Sequence, residues 1–545
     1  MTSLTPSLSQ LISLTRPVHV VDAAVLSAIA WALVQLIKTT RRRLSTTQLK
    51  GPQNPSFALG VGKLLNDSPD AGAVYEQWAE EYGLVFKVAS ALGKTRIVLC
   101  DPKAIAHFYA RETYGYVLTP LSKMAIENLA GRGLLWSQGD SHKRQRKTLT
   151  PAFSNAAIRK LTSVFYDSAY KAKSAWDSII ESKGDSDGLI IEVQNWMNHI
   201  SLDTIGIAGF SHDFGSLDGK VTSVTEVFDS FGTAKPSPLN SLFFLLAPVF
   251  PWLIKLPTSR AKLVKKLNTT MGEISEELLS RTRKEKEADA SDAKAENSII
   301  GLLIKAEAET AELHLSPEEV MAQMKVLLIA GYETTSVSLT WALLELAQNT
   351  EVQDKLREEI LSQFPGADPT YDQLTSGLPY LDAVVHEILR IHPPVPEFTR
   401  VAAEDDVLPL SEPVRTASGE LVDNISVAKG TLLSINIASL NRSTYFWGPD
   451  AKVFNPARWL GEDGVTGKAK EIQGHRHLLT FVDGPRTCLG KSFAITEFKA
   501  ILVRNFSFEM VDPNAKVEMA RGLLPRPRLV GEEGCSVSLR VRRVE

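Results

Sequence analysis

Phe481-Val482-Asp483-Gly484-Pro485-Arg486-Thr487-Cys488-Leu489-Gly490, followed by Lys491-Ser492-Phe493-Ala494, is the stretch on which the reading of this chain turns. Its pattern is FxxGxRxCxG, and residue frequencies put a chance match in a chain this long on the order of one in ten thousand. Glycines at 484 and 490 permit turn conformations that a side chain forbids, and they let backbone come close to a flat ligand. Backbone N–H groups around a cysteine, with a helix starting just after it, favour thiolate over thiol. Arg486 offers a planar, two-pronged donor to a carboxylate. A buried structural cysteine is the usual fate of a lone Cys. That plainer reading leaves the surrounding spacing without a reason.

The other cysteines, Cys100 and Cys535, lie in no comparable pattern. Three cysteines are neither a disulfide framework nor a zinc-ligand set, and they fit a reducing compartment. Any sulfur chemistry therefore rests on one residue. Net charge is −3, and no basic stripe marks a nucleic-acid binder. Neither GxGxxG nor GxxxxGK[ST] occurs, so the chain offers no nucleotide fingerprint of its own.

Residues 18–37 read VHVVDAAVLSAIAWALVQLI, broken only by His19, Asp22 and Gln35. About 20 apolar residues suffice to span a bilayer as a helix. Lys38, Arg41, Arg42 and Arg43 follow at once, which assigns that end to the cytosol. A cleaved signal peptide would carry its charges before the apolar run and a small-residue cleavage site after it. The expected organisation is a lumenal tail (1–17), a transmembrane anchor (18–37), a basic, Pro52- and Pro55-containing spacer (38–65) and one catalytic domain (66–545).

Strands are expected at 84–88, 96–100 and 431–437, and mainly helices from about 155 onward. Loops are expected at 183–188 (KGDSDG) and 284–297 (KEKEADASDAKAEN). Between them, 240–257 (NSLFFLLAPVFPWLIKLP) is strongly apolar but interrupted by proline; it is a buried helix pair or a surface that dips into a membrane. A long helix begins after Ser316, with Pro317 first and Glu319 completing a capping box. It runs to about Gln348 and is apolar nearly all round, which makes it central. Inside it, Ala330-Gly331-Tyr332-Glu333-Thr334-Thr335 brings a glycine and paired threonines that invite a break. Another helix spans 381–392 and carries Glu387-Ile388-Leu389-Arg390, two charges on one face. It stops at Pro393-Pro394.

Together these motifs resemble the cytochrome P450 family in its microsomal, eukaryotic form, with a fungal source expected. The resemblance covers the chain from the anchor to about Arg543. It implies a mainly α fold of about a dozen helices with a small β domain, and haem b between the central helix and the Cys loop. Cys488 is then the axial ligand of the iron, and Phe481, Gly484, Gly490 and Ala330 line the haem. The 330–335 cluster is similar to the family's oxygen-activating [AG]Gx[DE]T[TS] segment. Thr334 would hold oxygen and the water that feeds it protons, and Glu333 would connect that water to solvent; an alcohol beside an acid can relay protons. Glu387 and Arg390 match ExxR, and Arg458, in Phe454-Asn455-Pro456-Ala457-Arg458-Trp459, would join them as a scaffold behind the thiolate loop. Arg400 resembles the family arginine that reaches a propionate from a strand. Gly139-Asp140-Ser141-His142-Lys143-Arg144-Gln145-Arg146 corresponds to the WxxxR helix, with His142 standing where the family has Trp. Arg146 and His142 would both face a propionate, since imidazole and indole can each donate one hydrogen bond.

The activity implied is a monooxygenase that inserts one atom of O2 into a lipophilic substrate such as a terpenoid, steroid or aromatic. Electrons would come from NADPH through a separate membrane-bound reductase, docked at the basic turn Lys143, Arg144, Arg146 and Lys147. The catalytic domain would sit on the cytosolic face of the endoplasmic reticulum membrane, leaving the N-x-[ST] sites at Asn66, Asn268, Asn424, Asn441 and Asn505 unmodified. Segments 114–134, 395–398 and 523–524 and the turn around Ala330 are the expected substrate walls. A haem-thiolate isomerase or dehydratase, which tends to lose the acid–alcohol pair, and a haem sensor or electron carrier remain as alternatives.

Overall fold

The computed structural model describes residues 22–544, except 24, 28, 31–32, 35–36, 38, 184–187, 234–236, 289–297, 309, 462–463, 504–505 and 533. The expected tail 1–17, the first residues of the expected span, the interiors of the two charged loops and Asn505 lie outside these residues.

The helix Pro317–Gln348 starts as its sequence dictates. Ser316 Oγ accepts the Glu319 N–H, the Glu319 carboxylate accepts the Ser316 N–H at 3.1 Å, and Pro317 takes the first helical position. It is buried over most of its surface because helices Val193–Phe210, Ser259–Ala288, Pro379–Ile391 and Lys491–Leu502 all pack against it. It is the one helix among the described residues long and apolar enough to cross a membrane, yet 78% of that window is buried in protein. Its apolar character belongs to the core.

Strands Val85–Ala89, Thr95–Leu99, Leu432–Asn436, Glu397–Ala402 and Tyr116–Leu118 form one sheet in that order, parallel only between Thr95–Leu99 and Leu432–Asn436. Ser538–Arg543 lies between Leu189–Glu192 and Phe506–Met510 in a second sheet. Two hairpins complete the strands: Asp406–Arg415 with Leu421–Val427, and Val517–Arg521 with Pro525–Leu529. The apolar interior is correspondingly double. One core surrounds the central helix and the other fills the space beneath the five-stranded sheet.

Three expectations need correction. The spacer at 38–65 is folded from about residue 46: Thr47 N–H donates to Ser426 O, Lys87 N–H to Lys50 O, and Leu49 pairs with Thr416 and is 1% exposed. Its backbone finds partners on strand edges, which no composition signal announces. The segment 240–257 is not a buried helix pair. Helix Pro238–Leu246 has no fully buried residue, and Leu239, Leu242, Phe244, Phe250 and Trp252 are 40–63% exposed. Finally, the central helix is not broken at 330–335. The Thr334 hydroxyl donates to Ala330 O at 2.8 Å within the regular helix.

Candidate active site

The Cys loop is held by its own backbone. Cys488 N–H donates to Phe481 O at 2.9 Å, and Thr487 N–H donates to Gly484 O at 3.1 Å. Gly484 has φ +66°, and a Cβ there would fall 2.4 Å from Tyr109 O, so only glycine fits. Gly490 differs from its expected role. Its φ is −86°, not a left-handed turn; it enters helix Lys491–Leu502, and a Cβ there would meet Phe153 at 3.7 Å. Cys100 and Cys535 are buried, whereas the Cys488 side chain is accessible. That access opens into the protein interior: surrounding mass pushes the thiol up, while the Gly490 N–H, Arg146 and Lys491 pull it back toward thiolate.

Three arginines gather around this loop from three elements. Arg486 comes from the loop itself and donates to Ser137 O. Arg400 comes from strand Glu397–Ala402, and Arg146 from helix Gly139–Leu149, where it lies close enough to Cys488 for each to shift the other. His142, one turn before Arg146, is 3% exposed. Burial, with Arg486 and Arg146 beside it, lowers it to about 4, so it stands there as a neutral imidazole. Burial and the neighbouring guanidiniums bring Arg486 down to about 10. The remaining cations of the basic turn point elsewhere. Arg144 makes a two-pronged pair with Glu319 at 2.6 and 3.0 Å, and Lys147 reaches Glu312 at 3.5 Å on the surface.

Sequence reasoning missed Glu112. It is 2% exposed, and its Oε1 accepts from Arg400 Nε at 2.8 Å and Nη2 at 2.7 Å, with Arg486 Nε at 3.9 Å. Nothing in RETYG marked it, because its partners lie nearly 300 and 400 residues away.

On the central helix, Ala330 is exposed and Thr334 half-buried, while Tyr332, Glu333 and Thr335 are buried. One open strip thus runs through an otherwise packed helix. Gly331 has a packing reason: a Cβ would fall 2.6 Å from Ile205 Cγ1 of the crossing helix. Glu333, expected to connect the proton-feeding water to solvent, is 1% exposed, and its carboxylate lies 2.6 Å from Arg526 Nη2. A second carboxyl that the sequence did not announce, Glu497, lies fully enclosed near Thr204 and Thr335, and burial pushes it well above the usual range.

Behind the Cys loop, Arg390 donates from Nε and Nη2 to Glu387 at 2.8 Å each, with both side chains 0% exposed. Arg390 Nη1 also reaches Asn441 O and Ala451 O, and Trp459 Nε1 donates to Glu387 at 2.9 Å. Arg458 approaches Glu387 at 3.5 Å and pairs with Asp450 at 2.8 Å. The Thr480 hydroxyl then ties the start of the Cys loop to Leu389 O at 2.7 Å. Buried pairs of this kind are retained for geometry more than for net stability.

The family model for cytochrome P450 matches residues 50–529. The chain belongs to the cytochrome P450 family. It is 60% identical over 521 residues, 94% of this chain and 96% of the relative, to cytochrome P450 monooxygenase claQ of Ampulloclitocybe clavipes. It is likewise 60% identical to claP of the same organism over 96% of this chain and 98% of that protein. Cytochrome P450 monooxygenase 205 of Postia placenta is 34% identical over 95% of this chain and 96% of its own length. The chain is a P450 monooxygenase, and family membership implies haem iron.

The residues fit that group. An accessible thiol is flanked by an N–H donor, three guanidiniums converge beside it for two carboxylates, and Ala330 leaves the central helix open. Among the described residues, Glu112 Oε2 and Tyr109 Oη are buried polar atoms with no hydrogen-bond partner, and both lie in the arginine cluster.

Proposed function

We propose that this P450 inserts one atom of O2 into a lipophilic small molecule, with Cys488 as the axial ligand of haem b and electrons arriving from NADPH through a separate flavoprotein reductase. The supporting observation is the accessible Cys488 thiol beside Arg146, Arg400 and Arg486, the donor set that haem and its two carboxylates require. Haem bound there supplies oxygen activation, which thiolate ligation favours. The chain's own residues do the rest. Arg146, Arg400, Arg486 and His142 would hold the two carboxylates of that group. Thr334 Oγ1 donates to Ala330 O, leaving its lone pairs to accept from water and its proton free to be re-aimed. Glu333 stores charge behind it, paired with Arg526. The Glu387–Arg390–Arg458 scaffold fixes the loop and touches no reactant.

Substrate and membrane follow from apolar surface. Phe398, Leu523 and Leu524 are partly accessible on the segments expected as walls and suit a terpenoid, steroid or aromatic. The described residues between 22 and 45 are helical, and Val25, Leu26, Ile29, Leu33, Val34 and Ile37 are 46–65% exposed, as an anchor in lipid would present them. Arg42 lies against Gly430 and within electrostatic reach of Lys94, whose ammonium donates to Pro248 O. The anchor's cytosolic end and the apolar segment 240–257 therefore share one face. Both would contact the endoplasmic reticulum membrane, and the outward Lys143, with Lys147 on the surface beside Glu312, would face an acidic reductase. The test is reconstitution with reductase and NADPH over a panel of terpenes, steroids and polycyclic aromatics. A reduced-CO spectrum of thiolate type with oxygenated product is expected; a holoprotein that accepts electrons but oxygenates none of the panel would overturn the lipophilic-substrate assignment.

A further inference from the structure

Glu112 is a buried carboxylate inside a cluster of guanidiniums suited to bind carboxylates. Arg146, Arg400 and Arg486 bring three positive charges into a space where His142 is neutral. Two haem carboxylates would cancel two of them. Glu112 supplies a negative charge from inside the cluster: Oε1 takes both Nε and Nη2 of Arg400 and stands 3.9 Å from Arg486 Nε. The neighbouring backbone is shaped for this. Helix Pro102–Ala110 ends two residues earlier, Thr113 takes φ +81°, and Glu112 bridges to Tyr116, whose strand pairs with that of Arg400. A non-glycine residue at that φ is costly and is kept only where the surroundings over-determine it. The other carboxyl oxygen, Oε2, is buried without a partner among the described residues, as is the nearby Tyr109 hydroxyl.

We propose that Glu112 is a positioning residue of the haem site: it fixes the forks of Arg400 and Arg486 and offsets one of the cluster's three guanidinium charges from within. The inference rests on the haem reading above. An uncompensated buried charge is expensive, so without Glu112 the cluster would bind haem with one guanidinium unmatched and its fork free to turn. It would also place an extra positive charge beside the haem, which favours the reduced state.

The test uses the full-length holoenzyme with Glu112→Gln, Glu112→Asp, Arg400→Gln and the double Glu112→Gln/Arg400→Gln. Reduction potential and the rate of haem transfer to excess apomyoglobin are read for each. Glu112→Gln should raise the potential and speed haem loss about tenfold, the scale of one lost charge-assisted hydrogen bond. Arg400→Gln should lower the potential, the double variant should return toward the parent, and Glu112→Asp should lie between parent and Gln. If Glu112→Gln yields no holoprotein, the opposed shifts of Arg400→Gln and the double variant decide the matter. A merely structural Glu112 would destabilise the protein without opposed potential shifts. Parent potential and parent haem-loss rate in Glu112→Gln, or a double variant no closer to the parent than Arg400→Gln, overturns the inference. A parent protein without a thiolate-type reduced-CO spectrum overturns the haem reading itself, a different failure.

Discussion

Arg526 Nη2 lies 2.6 Å from Glu333 Oε1, with the two side chains 4% and 1% exposed, and the Leu524 N–H reaches the same oxygen at 3.2 Å. The pair fastens the hairpin of Val517–Arg521 and Pro525–Leu529 to the middle of the central helix. Asp229, on helix Ser223–Gly232, is held above the usual carboxylate range mainly by burial, within electrostatic reach of both Arg526 and Glu333. Glu333 thus stands in the fold as one half of a buried ion pair, with a second carboxylate nearby.

Arg526→Gln removes the counter-charge and strands Glu333 in the interior. Breaking one side of a buried pair costs about 3–5 kcal/mol, most of it the unpaired charge. The expected result is a clear fall in the thermal midpoint of the holoprotein. Adding Glu333→Gln removes that charge too and should restore most of the loss. A single variant as stable as the parent would show that Glu333 carries no charge in the folded protein.

Local signals were legible where local chemistry makes them. The capping box at Ser316, the ExxR pair one turn apart and the 481–490 loop each depend on residues within ten positions, and each lies where its spacing says. What escaped the sequence depends on distance along the chain. Arg526 meets Glu333 across nearly 200 residues, Glu112 meets Arg400 across 288, and residues 47–50 bond to strands of two different sheets at Ser426 and Lys87. Gly331 was read as a helix breaker because its true constraint, the Ile205 side chain, belongs to another helix. The motif named Glu333 but not its partner, because Arg526 belongs to a distant hairpin.

His475 offers a pH test. Its Nε2 lies 3.1 Å from His386 Nε2, whose own Nδ1 donates to Asp382 O. Burial, with His386, Lys491 and Arg476 nearby, lowers His475 to about 3. The unfolded chain takes up that proton near pH 6.5 and the folded chain does not, so stability present above pH 6.5 is lost as pH falls toward 3. His475→Gln cannot take the proton. Between pH 7 and 5 it should lose about 1 kcal/mol less stability than the parent, after allowance for partial solvent screening. Identical acid limbs would mean that His475 titrates normally in the fold.

Deleting residues 1–43 should move the protein toward the soluble fraction with its haem retained. Part should remain on membranes, because Leu242, Phe244 and Trp252 stay exposed on the same face. Phe244→Glu with Trp252→Glu in the truncated protein should release that remainder. A truncated protein that is wholly soluble without those changes would remove 240–257 as a membrane contact.

Cys488→Ser should abolish the thiolate signature of the reduced-CO spectrum and all oxygenation. Cys100, pushed up to about 12 by burial, and Cys535, also raised, offer no substitute. Normal turnover in this variant would end the haem-thiolate assignment.

Thr334→Ala should separate electron consumption from product formation. The Thr334 hydroxyl sits on the open strip with Ala330 and is tied back to the Ala330 carbonyl at 2.8 Å. It can swing from that carbonyl to a water at little cost, because both are simple acceptor positions on one side of the helix. Glu333 points to the buried side, one residue away, and cannot take over this task from its pair with Arg526. Substrate binding should change little, since loss of one hydroxyl alters an apolar wall only modestly. NADPH oxidation should therefore persist while product per NADPH falls and peroxide rises, and Thr334→Ser should recover much of the coupling. If Thr334→Ala keeps parent coupling, the hydroxyl serves only its hydrogen bond to Ala330, and protons reach the oxygen by another route.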